Sequence, residues 1–246
     1  MKEIAIYNIK GGVGKTATSV NLAYAAAEDK NKVLLVDMDP QGASTFYMNV
    51  KHGHDDSIKK TFFKGKSVDE LIRETEYSNL DILPSDTRYR KLDSFLGEMK
   101  NSDKWLKKLF KPVKKEYDYV IIDCPPNVTA LSETIFQNAD AILVPVIPTT
   151  LSVRTYEQLR TFFKDENFDK DKLHPFFSMV ERRKNMHNET MEQFHKEYKE
   201  CINVAIPYNA EVEKMGEYKA PIVKKYPYAE TSEAFRVLWK KIKSKV

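Results

Sequence analysis

Residues 10–16 read Lys-Gly-Gly-Val-Gly-Lys-Thr, with Gly11, Gly12 and Gly14 crowded between Lys10 and Lys15. Glycines this dense let successive backbone N–H groups turn toward one point, as an anion with several oxygens requires. The stretch in front, residues 3–8 (EIAIYN), reads as a buried strand, and the stretch behind, ATSVNLAYAAAEDK, as a helix. Strand, glycine turn and helix N-terminus in that order make a phosphate cradle. In such a cradle Lys15 reaches the outer phosphates of a nucleotide and the Thr16 hydroxyl ligates Mg²⁺. The usual pattern, G-x-x-x-x-G-K-[ST], has glycine where Ile9 stands, and it needs one lysine where this chain has two.

Two further segments carry carboxylates that suit such a site. VLLVDMDPQG (33–42) ends a strand with Asp37 and Asp39, two apart and so able to face the same side. YDYVIIDCPPN (117–127) places four apolar residues before Asp123, the form of a strand that holds Mg²⁺ through water, since Mg²⁺ keeps part of its hydration shell.

Elements must position these residues, and the chain alternates them. Apolar runs at 4–9, 33–37, 80–84, 119–123, 141–146, 174–180 and 204–207 suit strands buried on both faces. Helical patterns lie between several of them, DKWLKKLFKPVKKEY (103–117) among these. The expectation is an α/β fold: a doubly wound, mainly parallel twisted sheet flanked by helices, like that of P-loop NTPases. No composition shift or repeat divides the chain, so residues 1–246 read as one domain. Residues 48–67 read as a polar loop, and His52, His54, Asp55 and Asp56 within it as loop residues in preference to a metal site. Ser152 or Thr150 is the expected cap of the helix after the 141–146 strand.

Composition narrows the setting. The chain is 41% apolar and 31% charged, ordinary for a globular protein, and no apolar run approaches a membrane span. A strand at the very start argues against a signal peptide. Two distant cysteines, Cys124 and Cys201, indicate no disulfide framework and a reducing cytoplasm. Residues 214–246 hold nine basic and three acidic side chains, a bias that fits a polyanion, either nucleic acid or an anionic membrane.

The string at 10–16 resembles the deviant Walker A motif of the ParA/MinD ATPases, and DMDPQG and YVIID follow in that family's order. The resemblance implies ATP and Mg²⁺ as ligands, with Lys10, Gly11, Gly12, Val13, Gly14, Lys15, Thr16 and Ala17 around the phosphates. It answers the question of two lysines: Lys15 serves its own ATP, and Lys10 crosses a homodimer interface to the partner's. It implies that Asp39 directs the attacking water, that Asp37 and Asp123 sit at Mg²⁺ with Thr16, and that Gln41 and Gly42 belong to a γ-phosphate-sensing loop. Residues 141–159 resemble the family's dimer-interface strand, loop and helix. SMVERRKN (178–185) resembles the segment with a DNA-contacting arginine, here Arg183, with Arg182 and Lys184 beside it. AIPYNAEV (205–212) resembles the adenine-side segment, with Pro207 and Asn209 at the matching positions. Tyr208 stands where the family usually has arginine, and Ala17 where it usually has a second threonine.

A ParA-type partition ATPase is thus the function the resemblance implies. Its partners would be nonspecific double-stranded DNA and a ParB-like or cargo adaptor protein that stimulates hydrolysis. Its location would be the cytoplasm, on the nucleoid when ATP-bound. Lys214, Lys219, Lys224, Lys225 and Arg236 join Arg183 as the expected DNA surface. The alternative is a MinD-like membrane ATPase. It is motivated by residues 231–246, where Phe235, Leu238, Trp239, Ile242 and Val246 fall at helical spacing among lysines, although a last helix packed on the sheet with its lysines in water is the preferred reading of that pattern. An iron–sulfur reductase that shares the Lys-Gly-Gly loop is disfavoured, because Cys124 and Cys201 do not match its ligand positions.

Overall fold

The computed structural model describes residues 1–51, 61–62 and 67–246. Among these the elements run β1 (Lys2–Ile6), α1 (Lys15–Glu28), β2 (Val33–Asp37), α2 (Ala43–Tyr47), β3 (Arg73–Glu74), β4 (Leu80–Leu83), α3 (Leu92–Glu98) and α4 (Trp105–Phe110). They continue with β5 (Tyr119–Asp123), α5 (Ala130–Asn138), β6 (Ala141–Val146), α6 (Thr150–Asp165), β7 (Leu173–Val180), α7 (Asn185–Glu197) and β8 (Ala205–Pro207). The chain closes with three one-turn helices, α8 (Ala210–Glu213), α9 (Met215–Tyr218) and α10 (Ile222–Lys225), and then α11 (Glu230–Lys243). His52, His54, Asp55 and Asp56 lie outside the described residues.

The strands form one sheet in the order β3-β4-β2-β5-β1-β6-β7-β8, parallel throughout except for the β3–β4 pair. This is the expected doubly wound α/β fold, and seven of its strands coincide with the seven apolar runs to within a few residues. The strands are continuously apolar because both faces are covered. Ala5 and Tyr7 pack into one core layer and Ile4 and Ile6 into the other. Two-residue β3 has both side chains exposed and so carries no burial pattern for sequence reading to detect.

Two local expectations are corrected. The pattern at 103–117 is not one helix: α4 stops at Phe110, and Pro112 cannot supply the N–H that continuation needs. Neither Ser152 nor Thr150 caps α6. Thr149 occupies the cap position without a side-chain capping bond, Thr150 is the first helical residue, and Ser152 Oγ accepts from the Ile147 N–H at 3.3 Å.

The amphipathic C-terminal pattern forms α11, with its apolar stripe turned inward. Phe235, Leu238, Trp239 and Ile242 are buried in the layer that also holds α1. The Trp239 ring meets Tyr119 edge-on at 4.8 Å, and its indole N–H donates to Asp29 at 2.9 Å. That stripe is core, so it offers no free face for a bilayer, and among the described residues no helix is long and apolar enough to cross one.

Glu3, at the start of β1, is buried with Oε2 unpartnered among the described residues. Burial first, then the neighbouring Asp140 carboxylate, pushes its carboxyl up to about 7. The folded chain therefore holds this proton more tightly than the unfolded chain. The group costs nothing below its ordinary 4.5 and costs more as pH rises toward 7. Glu3→Gln is expected to melt higher than the parent at pH 8, by up to about 3 kcal/mol of stability, and to match it near pH 4.5. Equal melting temperatures at pH 8 would show that the carboxylate is not held under this strain.

Candidate functional site

The sheet brings the three motifs to one end. Asp37 and Asp123 are register partners on adjacent strands β2 and β5, and Ile6, where β1 ends, is in register with Asp123 from the other side. The glycine turn leaves β1 immediately beyond. Its path needs glycine twice: Gly12 and Gly14 have φ of 71° and 88°. A Cβ at Gly11 or Gly12 would meet nothing within 4 Å, so this part of the turn is open and uncrowded by the rest of the described chain.

Three contacts brace the turn. Asn8, buried at the end of β1, donates to the Pro145 carbonyl at 2.8 Å and accepts the Lys10 N–H at 2.9 Å. Ser178 Oγ, on β7, donates to the Val13 carbonyl at 2.8 Å. The buried Lys15 ammonium folds over the turn and donates to the Lys10 carbonyl at 3.0 Å. Burial lowers the pKa of Lys15, and Asp123 chiefly opposes that shift. The Lys10 ammonium, half-buried at the mouth, enters no ion pair or side-chain hydrogen bond among the described residues.

The carboxylates sit in a dry network of hydroxyls. Asp123 accepts from Ser19 Oγ at 3.0 Å and Ser44 Oγ at 2.7 Å, and Thr16 also donates to it. Asp37 Oδ2 accepts both the N–H and the hydroxyl of Thr45, at 2.8 and 2.7 Å, while Asp37 Oδ1 is buried with no partner among the described residues. Burial raises both carboxyls above their ordinary range; Asp123 raises Asp37 further, and the hydroxyl donors pull each back. Two adjacent buried carboxylates, one with an orphaned oxygen, fit a hard divalent cation held with Thr16. Asp39 lies beyond the end of β2 and is half-exposed, its Oδ1 accepting the Gln41 N–H at 2.9 Å. Gly42 follows in the left-handed region at φ 68° and starts α2.

Pro207 and Asn209 come beside the turn, 190 positions and more from it in sequence. With Gly14, Ala17, Met179 and Tyr208 they line a narrow cleft of about 40 Å³. The Asn209 side chain is engaged within the protein: Oδ1 accepts the Glu211 N–H at 2.9 Å and Nδ2 donates to Thr231 at 3.0 Å. One amide N–H and one Oδ1 lone pair remain for a ring in the cleft. Tyr208 is exposed and donates to Glu213 at 3.2 Å.

The basic residues divide. Arg183 and Lys224 are exposed and in no ion pair among the described residues. Arg182, Lys184 and Lys214 make exposed pairs with Glu230, Glu181 and Glu211, weak contacts that a polyanion displaces readily. Lys219 lies over the Phe46 ring and Lys225 over that of Tyr218. Arg236 departs from expectation. It is clamped by both oxygens of Glu28, at 2.6 and 3.1 Å, and donates to the Pro227 carbonyl, so it ties α11 to α1.

Motif reading missed Asn8, Ser19, Ser44, Thr45, Ser85 and Ser178. Each is a short polar residue with no spacing signature, and only its buried partner marks it.

A parallel sheet whose central strand ends in a glycine cradle, backed by carboxylates at the ends of two neighbouring strands, defines a P-loop ATPase fold. A family model described as an AAA domain matches residues 1–175. The sporulation initiation inhibitor protein Soj of Bacillus subtilis is 30% identical over 247 residues, covering 98% of each chain. The chromosome partitioning protein ParA of Myxococcus xanthus is 29% identical over 232 residues, 89% of this chain and 80% of that one. Among solved structures, McdA of Cyanothece in complex with ATP superposes with a TM-score of 0.84 at 18% identity, over 100% of this chain and 96% of that one, a likeness of fold. The chain belongs to the ParA/Soj family of partition ATPases.

Proposed function

We propose that residues 1–246 act as one ATPase domain that binds Mg²⁺-ATP, closes a homodimer on it and, in that state, binds duplex DNA without sequence preference. A ParB-like or cargo adaptor protein then stimulates hydrolysis and releases the DNA. The observation that carries this reading is the convergence of Lys15, Thr16, Asp37 and Asp123 at the glycine turn, with the Lys10 ammonium in no ion pair among the described residues.

Each residue has a role in this reading. The backbone N–H groups of residues 10–17 and the Lys15 ammonium hold the phosphates. Thr16, Asp37 and Asp123 hold Mg²⁺, which when bound offsets charge on the phosphate oxygens. Asp39, at the exposed rim, orients the attacking water. Lys10 supplies its charge in trans, by the logic of an arginine finger. Pro207 and Asn209 border the adenine. Arg183 and Lys224, with Arg182, Lys184, Lys214, Lys219 and Lys225, offer phosphate contacts, which give affinity without reading sequence. Arg236 leaves this set because Glu28 holds it. The protein would work in the cytoplasm, on the nucleoid when ATP-bound. The MinD-like alternative loses its support, since the stripe it needs is buried.

Sedimentation with ATP or ADP tests this, against nonspecific duplex DNA and, separately, anionic liposomes. The expected result is DNA binding that requires ATP and weakens steeply with salt. Liposome binding without DNA binding would overturn it in favour of a membrane-positioning ATPase.

A further inference from the structure

The turn that carries Asp39 is flanked by the Met38 N–H, which donates to the Asp123 carbonyl at 3.0 Å, and by the start of α2 at Gly42. Within it, the Asp39 carbonyl accepts the Gly42 N–H at 2.9 Å, and the carboxylate accepts the Gln41 N–H. From outside the turn, Ser85 reaches it. Ser85 is fully buried in the loop after β4, and its Oγ donates to the same Asp39 carbonyl at 2.5 Å. A carbonyl has two lone pairs, so both donors are accommodated.

Through Thr45, Ser85 is also linked to Asp37, the other carboxylate of the same motif. Its N–H donates to Thr45 Oγ1 at 2.8 Å, and Thr45 Oγ1 donates to Asp37 Oδ2 at 2.7 Å. A hydroxyl carries one proton. With the Ser85 N–H directed at the Thr45 oxygen, that proton points to Asp37. One residue thus pins the Asp39 turn with its side chain and orders the Asp37 contact with its backbone. The two legs are separable, because a side-chain substitution leaves the backbone leg in place.

We propose that Ser85 is a positioning residue for hydrolysis: it fixes the Asp39 turn against the end of β4, and so sets where the Asp39 carboxylate stands relative to the nucleotide. This rests on the reading of Asp39 as the residue that orients water. It does not touch the phosphates, so its removal acts on turnover and not on nucleotide affinity.

The experiment measures saturating ATP turnover and, separately, affinity for a fluorescent ATP analogue, in the parent and in Ser85→Ala, Ser85→Cys, Ser85→Thr and Asp39→Ala. Ser85→Ala is expected to lose about ten- to a hundredfold in kcat, the scale on which small misplacements of a reacting group act, with affinity unchanged. Ser85→Cys fills the same volume with a poor donor and is expected to fall equally; Ser85→Thr keeps the hydroxyl and is expected to recover part of the rate. A Ser85→Cys variant at the parent rate overturns the proposal, because volume and not the hydrogen bond would then matter. So does a loss of affinity in Ser85→Ala that matches its loss of rate. If Asp39→Ala loses turnover while Ser85→Ala does not, this inference fails and the reading of Asp39 stands. If Asp39→Ala turns over like the parent, the reading of Asp39 fails and takes this inference with it.

Discussion

Lys15→Ala is expected to lose nucleotide binding almost completely. The Lys15 ammonium is buried at the base of the glycine turn, and in this structure its hydrogen bond goes to the Lys10 carbonyl of its own loop at 3.0 Å. That carbonyl is a placeholder for anionic oxygens: a cation in a desolvated site gains far more from phosphate than from a neutral acceptor. Truncating one partner of a buried, hydrogen-bonded charge pair costs about 2–5 kcal/mol, or roughly thirty- to several-thousandfold in Kd. The fold should survive, since Lys15 contributes one loop contact to a core built from both faces of the sheet. Calorimetric titration with ATP and Mg²⁺ measures the loss, and a thermal melt checks the fold. Affinity within a few-fold of the parent would remove Lys15 from the phosphate site.

Lys10→Ala is expected to behave differently although the two lysines lie in the same seven-residue string. The Lys10 backbone stays in place, held by Asn8 on its N–H and by Lys15 on its carbonyl, so the cradle keeps its shape. Only the ammonium is lost, and within the chain it has no ion-pair partner among the described residues. Nucleotide binding should therefore persist while the ATP-dependent dimer disappears in sedimentation velocity. A Lys10→Ala variant that still dimerises on ATP as the parent does would rule out the trans role and leave the second lysine unexplained. The contrast between the two variants is sharper than either alone, because both remove one positive charge from the same loop.

Much of the site was legible in the sequence because its main parts are local. A glycine turn must sit between the strand and the helix it joins, so Gly11 to Thr16 are neighbours along the chain. Asp37 and Asp123 each end a run of buried residues, and parallel strands in register bring such ends level. The fold class was legible for a related reason: strands covered on both faces are apolar at every position. Where the burial signal was missing, as at exposed Arg73–Glu74, the strand was missed.

The sequence by itself determined the glycine turn, the two carboxylate strands and the alternation of strands and helices along the chain, because each is set by spacing within a few residues or by continuous burial. Only the tertiary structure decided which short polar residues serve the site. Ser19 and Ser44 meet Asp123 from 104 and 79 positions away, and Ser85 meets Asp39 from 46. It bore out the packed reading of the α11 stripe, tied Arg236 to Glu28, and engaged the Asn209 side chain with Glu211 and Thr231. A hydroxyl, a guanidinium or an amide carries no periodicity. Its partner is chosen by which elements the packed sheet brings within about 3 Å, and that is a property of the fold.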